Sequence, residues 1–186
     1  MKSLICLSFW AFILCLGTPS LRAQDAQYIC LPCGYACDDS VHQMPGVCSS
    51  CGMNLVDKRS IAFKNIDFGE LCRRIEQNPG IVLLDVRSAE EFANSNPSLE
   101  AFGRFKGALN INVVDLESRV AELKLFKDRE VVVYCSHSHR SPRASYYLST
   151  HGFKNVKNVM GGVSKLNGIN LVGCLKDQYI DFPPIK

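Results

Sequence analysis

The chain has 186 residues, enough for one ordinary domain or for one domain with a small module. Charged residues make up 21% and hydrophobic residues 47%, a globular balance, and a formal charge of +3 is too small to point to nucleic acid. This excludes a fibrous protein, a multi-span membrane protein and a large multidomain enzyme, and leaves the ten cysteines to be explained.

Lys2 gives a short positive start, and Leu4 to Gly17 is an uncharged apolar run of 14 residues. That is shorter than the roughly 20 residues a membrane span needs and suits the core of an export signal. Ala23 offers a small residue at the cut. Residues 1–23 are therefore expected to be removed, leaving a mature chain that begins near Gln24, is periplasmic or secreted, and has no stable membrane insertion. A retained anchor is the alternative. Cys6 and Cys15 leave with the signal.

The remaining cysteines divide the chain. Cys30, Cys33, Cys37, Cys48 and Cys51 crowd into residues 28–57, whereas Cys72, Cys135 and Cys174 are scattered. A small Cys-rich module over 28–57, an α/β domain over 60–173 and a tail over 174–186 are expected. About 30 residues cannot bury a sufficient core, so the module needs a metal or cross-links. Cys30-Leu-Pro-Cys33 and Cys48-Ser-Ser-Cys51-Gly52 are two CxxC pairs separated by 14 residues, a spacing that suits four thiolates around zinc or another soft metal. In an exported chain the same thiols could instead form disulfides. Cys37 is a fifth thiol that could replace one of the four or stay free. His42 reads as a loop histidine and Met53 as packing.

Tyr28-Ile-Cys30-Leu-Pro-Cys33 and Met44-Pro45-Gly46-Val-Cys48-Ser-Ser-Cys51-Gly52-Met53-Asn54-Leu55 resemble the heavy-metal-binding domain found beside copper-exporting ATPases and efflux adaptors. The resemblance implies a soft-metal site in a zinc-ribbon-like unit. Cys33 stands where that family has His, which keeps a soft ligand and changes the charge of the site. Structural zinc, a soft-metal sensor or carrier, and a disulfide knot are the three readings of the module.

Beyond Ser60 the pattern alternates. Asp67-Phe-Gly-Glu70 opens a helix with Phe68, Leu71, Cys72 and Ile75 on one face, Cys72 reading as core. Ile81 to Leu84 is an apolar strand ending at Asp85, and Ser88 and Glu91 form a capping box on a short helix. Asp115 can cap a helix carrying Leu116, Val120 and Leu123. Glu130 to Tyr134 is a second buried strand. Ser141 and Pro142 suit a helix cap and first position, and Asn155 to Met160 is a third strand before Gly161-Gly162. Continuous apolar strands between helices predict an α/β fold with a parallel sheet covered on both faces.

Cys135 follows directly on Val131-Val-Val-Tyr134, at the carboxyl end of a strand, where such folds place their chemistry. The loop Ser136-His137-Ser138-His139-Arg140-Ser141 and the helix start after it present backbone N–H groups to one point. Arg140, Arg143 and the two histidines add positive charge. That setting favours the thiolate and an anionic partner.

Leu84-Asp85-Val86-Arg87-Ser88-x-x-Glu91-Phe92, Gly103-Arg104-Phe105-Lys106-Gly107-Ala108-Leu109-Asn110, Val133-Tyr134-Cys135 with Arg140-Ser141, and Gly152-Phe153-x-Asn155-Val156 leading to Gly161-Gly162 closely resemble the rhodanese (sulfurtransferase) domain. The resemblance covers roughly residues 60–167. It implies that Cys135 is the sulfur-carrying nucleophile, with Ser136, His137, Ser138, His139, Arg140, Ser141 and Arg143 binding substrate and Asp85 and Arg87 as structural support. Four residues separate Cys135 from Arg140, the usual sulfurtransferase loop; the related phosphatases use one more. The family often has Gly near Ser138, His where Arg104 stands, and Trp at Leu166.

The expected reaction is a two-step transfer from a small anionic sulfur donor such as thiosulfate, through a Cys135 persulfide, to a thiol or cyanide, with no organic cofactor. Two rivals remain. One is a metal-handling protein whose rhodanese domain serves as a redox or persulfide partner; the other is a binding module that has lost activity. Cys174, past the domain, is a candidate to resolve a persulfide.

Overall fold

The computed structural model describes residues 26–100 and 102–182. The expected export signal, residues 1–23, lies outside the described residues. Among the described residues no helix is long and apolar enough to cross a membrane.

The first unit is a small antiparallel sheet. β1 (Tyr28–Ile29) lies between β2 (Val41–His42) and β3 (Val56–Asp57). A 3-10 turn at Ala36–Asp39 lies between β1 and β2. A second one at Lys58–Ser60 leads out; Asp57 caps it by accepting from the Arg59 N–H.

The α/β domain then unfolds in sequence order: β4 (Lys64–Ile66), α1 (Phe68–Gln77), β5 (Val82–Asp85), α2 (Ala89–Ala93), β6 (Arg104–Phe105), β7 (Leu109–Asn110), α3 (Leu116–Arg119), β8 (Glu130–Tyr134), α4 (Arg140–Thr150) and β9 (Asn155–Val159), closed by α5 (Gly173–Gln178) and β10 (Tyr179–Ile180). Five of these strands make a parallel sheet in the order β4-β9-β8-β5-β7. β5 and β8 sit inside it and are buried at every position, which is why Val82 to Leu84 and Val131 to Val133 read as apolar runs. β9 is also internal but far more polar. Lys157 and Asn158 are buried there; Asn158 Nδ2 donates to Asn65 Oδ1 at 2.8 Å, and burial pushes the Lys157 amine down.

Alternation along the strands sorts the core into two layers. Val82, Leu84, Val131, Val133 and Cys135 face one way, with Ala144 and Leu148 of α4. Leu83, Val132 and Tyr134 face the other, with Leu71, Phe105 and Tyr179. The first layer also contains Cys30, Leu31, Cys33, Cys37, Cys48, Met53 and Leu55. The Cys-rich unit and the α/β domain therefore share one continuous core.

Local signals held at α2, where both halves of the Ser88–Glu91 capping box form, and at α1, where the Asp67 side chain accepts from the Glu70 N–H. Asp115 makes no side-chain cap, and α3 runs on as a 3-10 segment over Val120–Phe126 that buries Leu123. α4 starts at Arg140, so Pro142 falls within its first turn, where its missing N–H leaves no bond unmade.

The stretch after residue 173 is bound into the domain. Tyr179 and Ile180 pair antiparallel with Phe105 and Arg104, and a side chain at Gly103 would run into the Ile180 carbonyl and the Tyr179 ring. Cys72, expected as core, is bonded to Cys174 of α5, with Cα atoms 5.8 Å apart and a sequence separation of 102. Cys174 is thus a disulfide partner in this structure and not a free resolving thiol. Closing a loop of that length restricts the unfolded chain by about 2–5 kcal/mol. Cys72→Ser with Cys174→Ser is expected to lower the unfolding free energy by that amount in urea; an unchanged urea midpoint would show the bond to be dispensable.

Candidate active site and thiol cluster

Cys135 follows β8 and is 1% exposed. Its Sγ lies 3.4 Å from Ser141 Oγ, in the first turn of α4. The loop from Ser136 to His139 closes around it, with Ser136, Ser138 and Ser141 buried. No acceptor among the described residues takes the backbone N–H groups of Ser136 to Ser141. Backbone donors left open in a loop beside a buried thiol suit an anion, and the start of α4 adds its dipole.

The loop is pinned from two sides. Val163 N–H donates to the Cys135 carbonyl at 2.9 Å and Ser164 N–H to the Ser136 carbonyl at 3.0 Å. That close approach needs Gly162, at φ +70°, because a Cβ there would strike the Ser136 carbonyl. Glu91 holds the second side: its carboxylate takes Arg140 Nη1 at 2.6 Å, Arg140 Nη2 at 2.7 Å, Ser136 Oγ at 3.0 Å and the Ser88 N–H at 3.0 Å. Burial alone would push this carboxyl up, but the hydrogen bond and charge of Arg140, with the Ser88 and Ser136 donors, outweigh it and hold it at about 2. Sequence reading gave Glu91 only its capping role. Its place in the Leu84-to-Phe92 motif was the one available signal.

Arg140 is therefore committed to Glu91. It shapes the loop, while Arg143 stays exposed at the edge of a cavity of about 560 Å³ between α4 and the Cys-rich unit. The two histidines are engaged with aromatic rings: His137 meets the edge of Phe102 at 5.3 Å, and His139 stacks on Tyr35 at 5.3 Å.

Asp85 and Arg87 are both fully buried and paired at 2.6 Å. Arg87 also donates to the Phe102 and Gly103 carbonyls, each at 3.1 Å. The pair braces the 102–103 connection, and through Phe102 it supports His137.

In the Cys-rich unit, the sulfurs of Cys30, Cys37, Cys48 and Cys51 all lie within 4.8 Å of one another. Tetrahedral zinc with Zn–S bonds near 2.3 Å sets sulfurs about 3.8 Å apart, so this donor set fits a four-thiolate site. Cys37 takes the place expected for Cys33. Asp38 is the reason: it accepts from the Cys33 N–H at 2.8 Å, the Gly34 N–H at 2.6 Å and Cys33 Sγ at 3.1 Å, while the 3-10 turn returns Cys37 to 4.0 Å from Cys30. Cys33 belongs instead to a second grouping with Cys30, Cys37 and Asp38. Burial, then the Asp38 contact, pushes the Cys33 thiol up. Backbone N–H groups of Cys51 and Ser50 aim at Cys48 and lower it to about 7, as in a metal-binding knuckle. His42 lies opposite Tyr28 in the small sheet, outside both groupings. Cys37→Ser is expected to abolish stoichiometric zinc binding by the full chain and Cys33→Ser to preserve it, measured by metal content after dialysis; the reverse result would restore the spacing-based set.

A buried thiol at the end of a parallel strand, beside a loop with open N–H donors, is an arrangement suited to a nucleophile that meets a small anion. The model of the Rhodanese-like domain family matches residues 68–168, and the chain belongs to that family. It is 32% identical over 98 residues to a sulfurtransferase of Allochromatium vinosum, covering 53% of this chain and 82% of that protein. It is 28% identical over 109 residues to the thiosulfate sulfurtransferase GlpE of Shewanella oneidensis, covering 59% of this chain and 97% of that one. A tRNA uridine(34) hydroxylase of Buchnera aphidicola shares 29% identity over 93 residues, but the match spans only 27% of its length. Among solved structures, a rhodanese-related protein from Thermoplasma volcanium aligns with a TM-score of 0.47 and 26% identity, over 59% of this chain and 98% of that one.

Proposed function

We propose that this chain is an exported sulfurtransferase that moves sulfane sulfur from thiosulfate or a similar small anion to a thiol or cyanide through a persulfide on Cys135. One observation carries the reading: a buried thiol at the end of β8 beside a loop whose N–H groups have no acceptor among the described residues.

The Cys135 thiolate attacks the outer sulfur of thiosulfate. A sulfur–sulfur bond to Cys135 forms, the sulfur–sulfur bond of thiosulfate breaks, and sulfite leaves with the electron pair. Cys135 then carries a terminal sulfur with one negative charge, stabilised by the loop N–H groups as an oxyanion hole stabilises oxygen. Cyanide attacks that terminal sulfur, thiocyanate leaves, and the thiolate returns. A thiol acceptor would take the sulfur as its own persulfide. Arg143 draws in the anion, and Arg140 with Glu91 keeps the loop in shape.

Cys30, Cys37, Cys48 and Cys51 would hold zinc or another soft metal, which would cross-link a unit too small to fold on its own core. The Cys72–Cys174 disulfide suits an oxidising compartment and supports export. The reading is tested by a thiosulfate-to-cyanide assay on the full mature chain, with and without chelator; no thiocyanate in either arm would overturn it. A metal-handling role is the second reading. It is favoured by Cys51, which alone of the four thiols is partly exposed and lines the cavity beside α4.

A further inference from the structure

Tyr35 of the Cys-rich unit touches the Cys135 loop at two of its residues. The Tyr35 hydroxyl donates to the His137 carbonyl at 2.9 Å, across 102 residues of sequence. The Tyr35 ring lies flat on His139, with 5° between the planes. Its backbone is fixed as well, because the Asp38 N–H donates to the Tyr35 carbonyl at 3.0 Å and the Asp38 carboxylate holds the two residues before it.

What this contact holds is an unfavourable piece of backbone. Ser138 has φ +60°, the left-handed region that a residue with a Cβ avoids. Its side chain is fully buried, and its hydroxyl finds no partner among the described residues. A buried hydroxyl left without a partner costs free energy unless something else comes to meet it. In a planar trans peptide the carbonyl and the following N–H point in opposite directions. With the His137 carbonyl turned outward to Tyr35, the Ser138 N–H is turned inward.

We propose that Tyr35 is a positioning residue for the Cys135 site: its hydroxyl holds the His137–Ser138 peptide so that the Ser138 N–H and hydroxyl meet the sulfur carried on Cys135. The proposal rests on the sulfurtransferase reading and assigns the Cys-rich unit a part in it. The tyrosine is suited to the task. Its neighbour Cys37 belongs to the thiol cluster, so whatever fixes that cluster also fixes the turn that carries Tyr35.

Tyr35→Phe is the test, since it keeps the ring on His139 and removes only the hydroxyl. In the full-length mature chain, kcat for thiosulfate-to-cyanide transfer should fall about tenfold, a fraction of what removing a direct anion-hole donor costs. KM for thiosulfate and the melting temperature should not move. Ser138→Ala should lower kcat in the same way. The double variant should lose less than the product of the two single losses, because both act through one group. Wild-type kcat in Tyr35→Phe, a fall matched by a lower melting temperature, or fully multiplicative losses would overturn the proposal. Failure of the underlying reading looks different: the wild-type chain itself would form no persulfide on Cys135, and the proposal would fall with it.

Discussion

Cys135→Ser leaves a folded protein with no thiosulfate turnover. Serine replaces the sulfur by a smaller oxygen that can still meet Ser141, so the loop loses little packing. What disappears is the chemistry. An alkoxide is not formed at neutral pH in this setting, and an oxygen cannot store a sulfane sulfur as a persulfide. Incubation of the wild type with thiosulfate should add about 32 daltons, one sulfur, to its intact mass, and the variant should gain none. Activity should drop below detection, while the melting temperature stays close to that of the wild type. Turnover retained in Cys135→Ser would overturn the enzymatic reading and shift attention to the thiol cluster.

The largest loss of stability is expected from Arg87→Met. Asp85 would keep its carboxylate in a fully buried place with no counter-charge, a loss of about 3–5 kcal/mol. The Phe102 and Gly103 carbonyls would also lose their donor. Domains of this size have about 5–15 kcal/mol in total, so the urea midpoint should fall sharply. Asp85→Leu combined with Arg87→Met removes both charges and should recover part of the loss. Recovery should be incomplete, because the two carbonyls remain unpaired in either variant. A single variant as stable as the wild type would show that the pair contributes nothing to stability. Turnover should suffer as well, since Phe102 supports His137.

The parts of this molecule legible in its sequence are those decided within a few residues. β5 and β8 are buried on both faces, so Val82 to Leu84 and Val131 to Val133 are consecutive apolar residues, and the position of Cys135 followed from the end of the second run. The Ser88–Glu91 box needed only its own four residues. What escaped depends on the meeting of distant segments. β9 is internal yet carries Asn-Val-Lys-Asn-Val, and the side-chain hydrogen bond that Asn158 makes there goes to Asn65 on the next strand, 93 positions away in sequence. Glu91 and Arg140 are 49 residues apart, and Tyr35 and His137 are 102 apart; neither pair leaves a periodic trace. The exchange of Cys37 for Cys33 turned on Asp38, an unremarked carboxylate that claims one thiol for itself. Cys72 looked like core because a disulfide sulfur and a buried aliphatic group occupy the same face of a helix.

The Cys72–Cys174 bond also changes the connectivity of the molecule. With it closed, the backbone from 72 to 174 is a covalent ring, and Cys135 and its loop lie on that ring. The Cys-rich unit hangs from it on a single strand of chain. A protease that nicks the exposed stretch at Pro97 to Glu100 opens the ring but releases nothing. A nick near Lys58, by contrast, would separate the two units into different molecules, held together only by their common core and by Tyr35. Reduction reverses that immunity, so the redox state of the surroundings decides whether one cut is a scar or a scission.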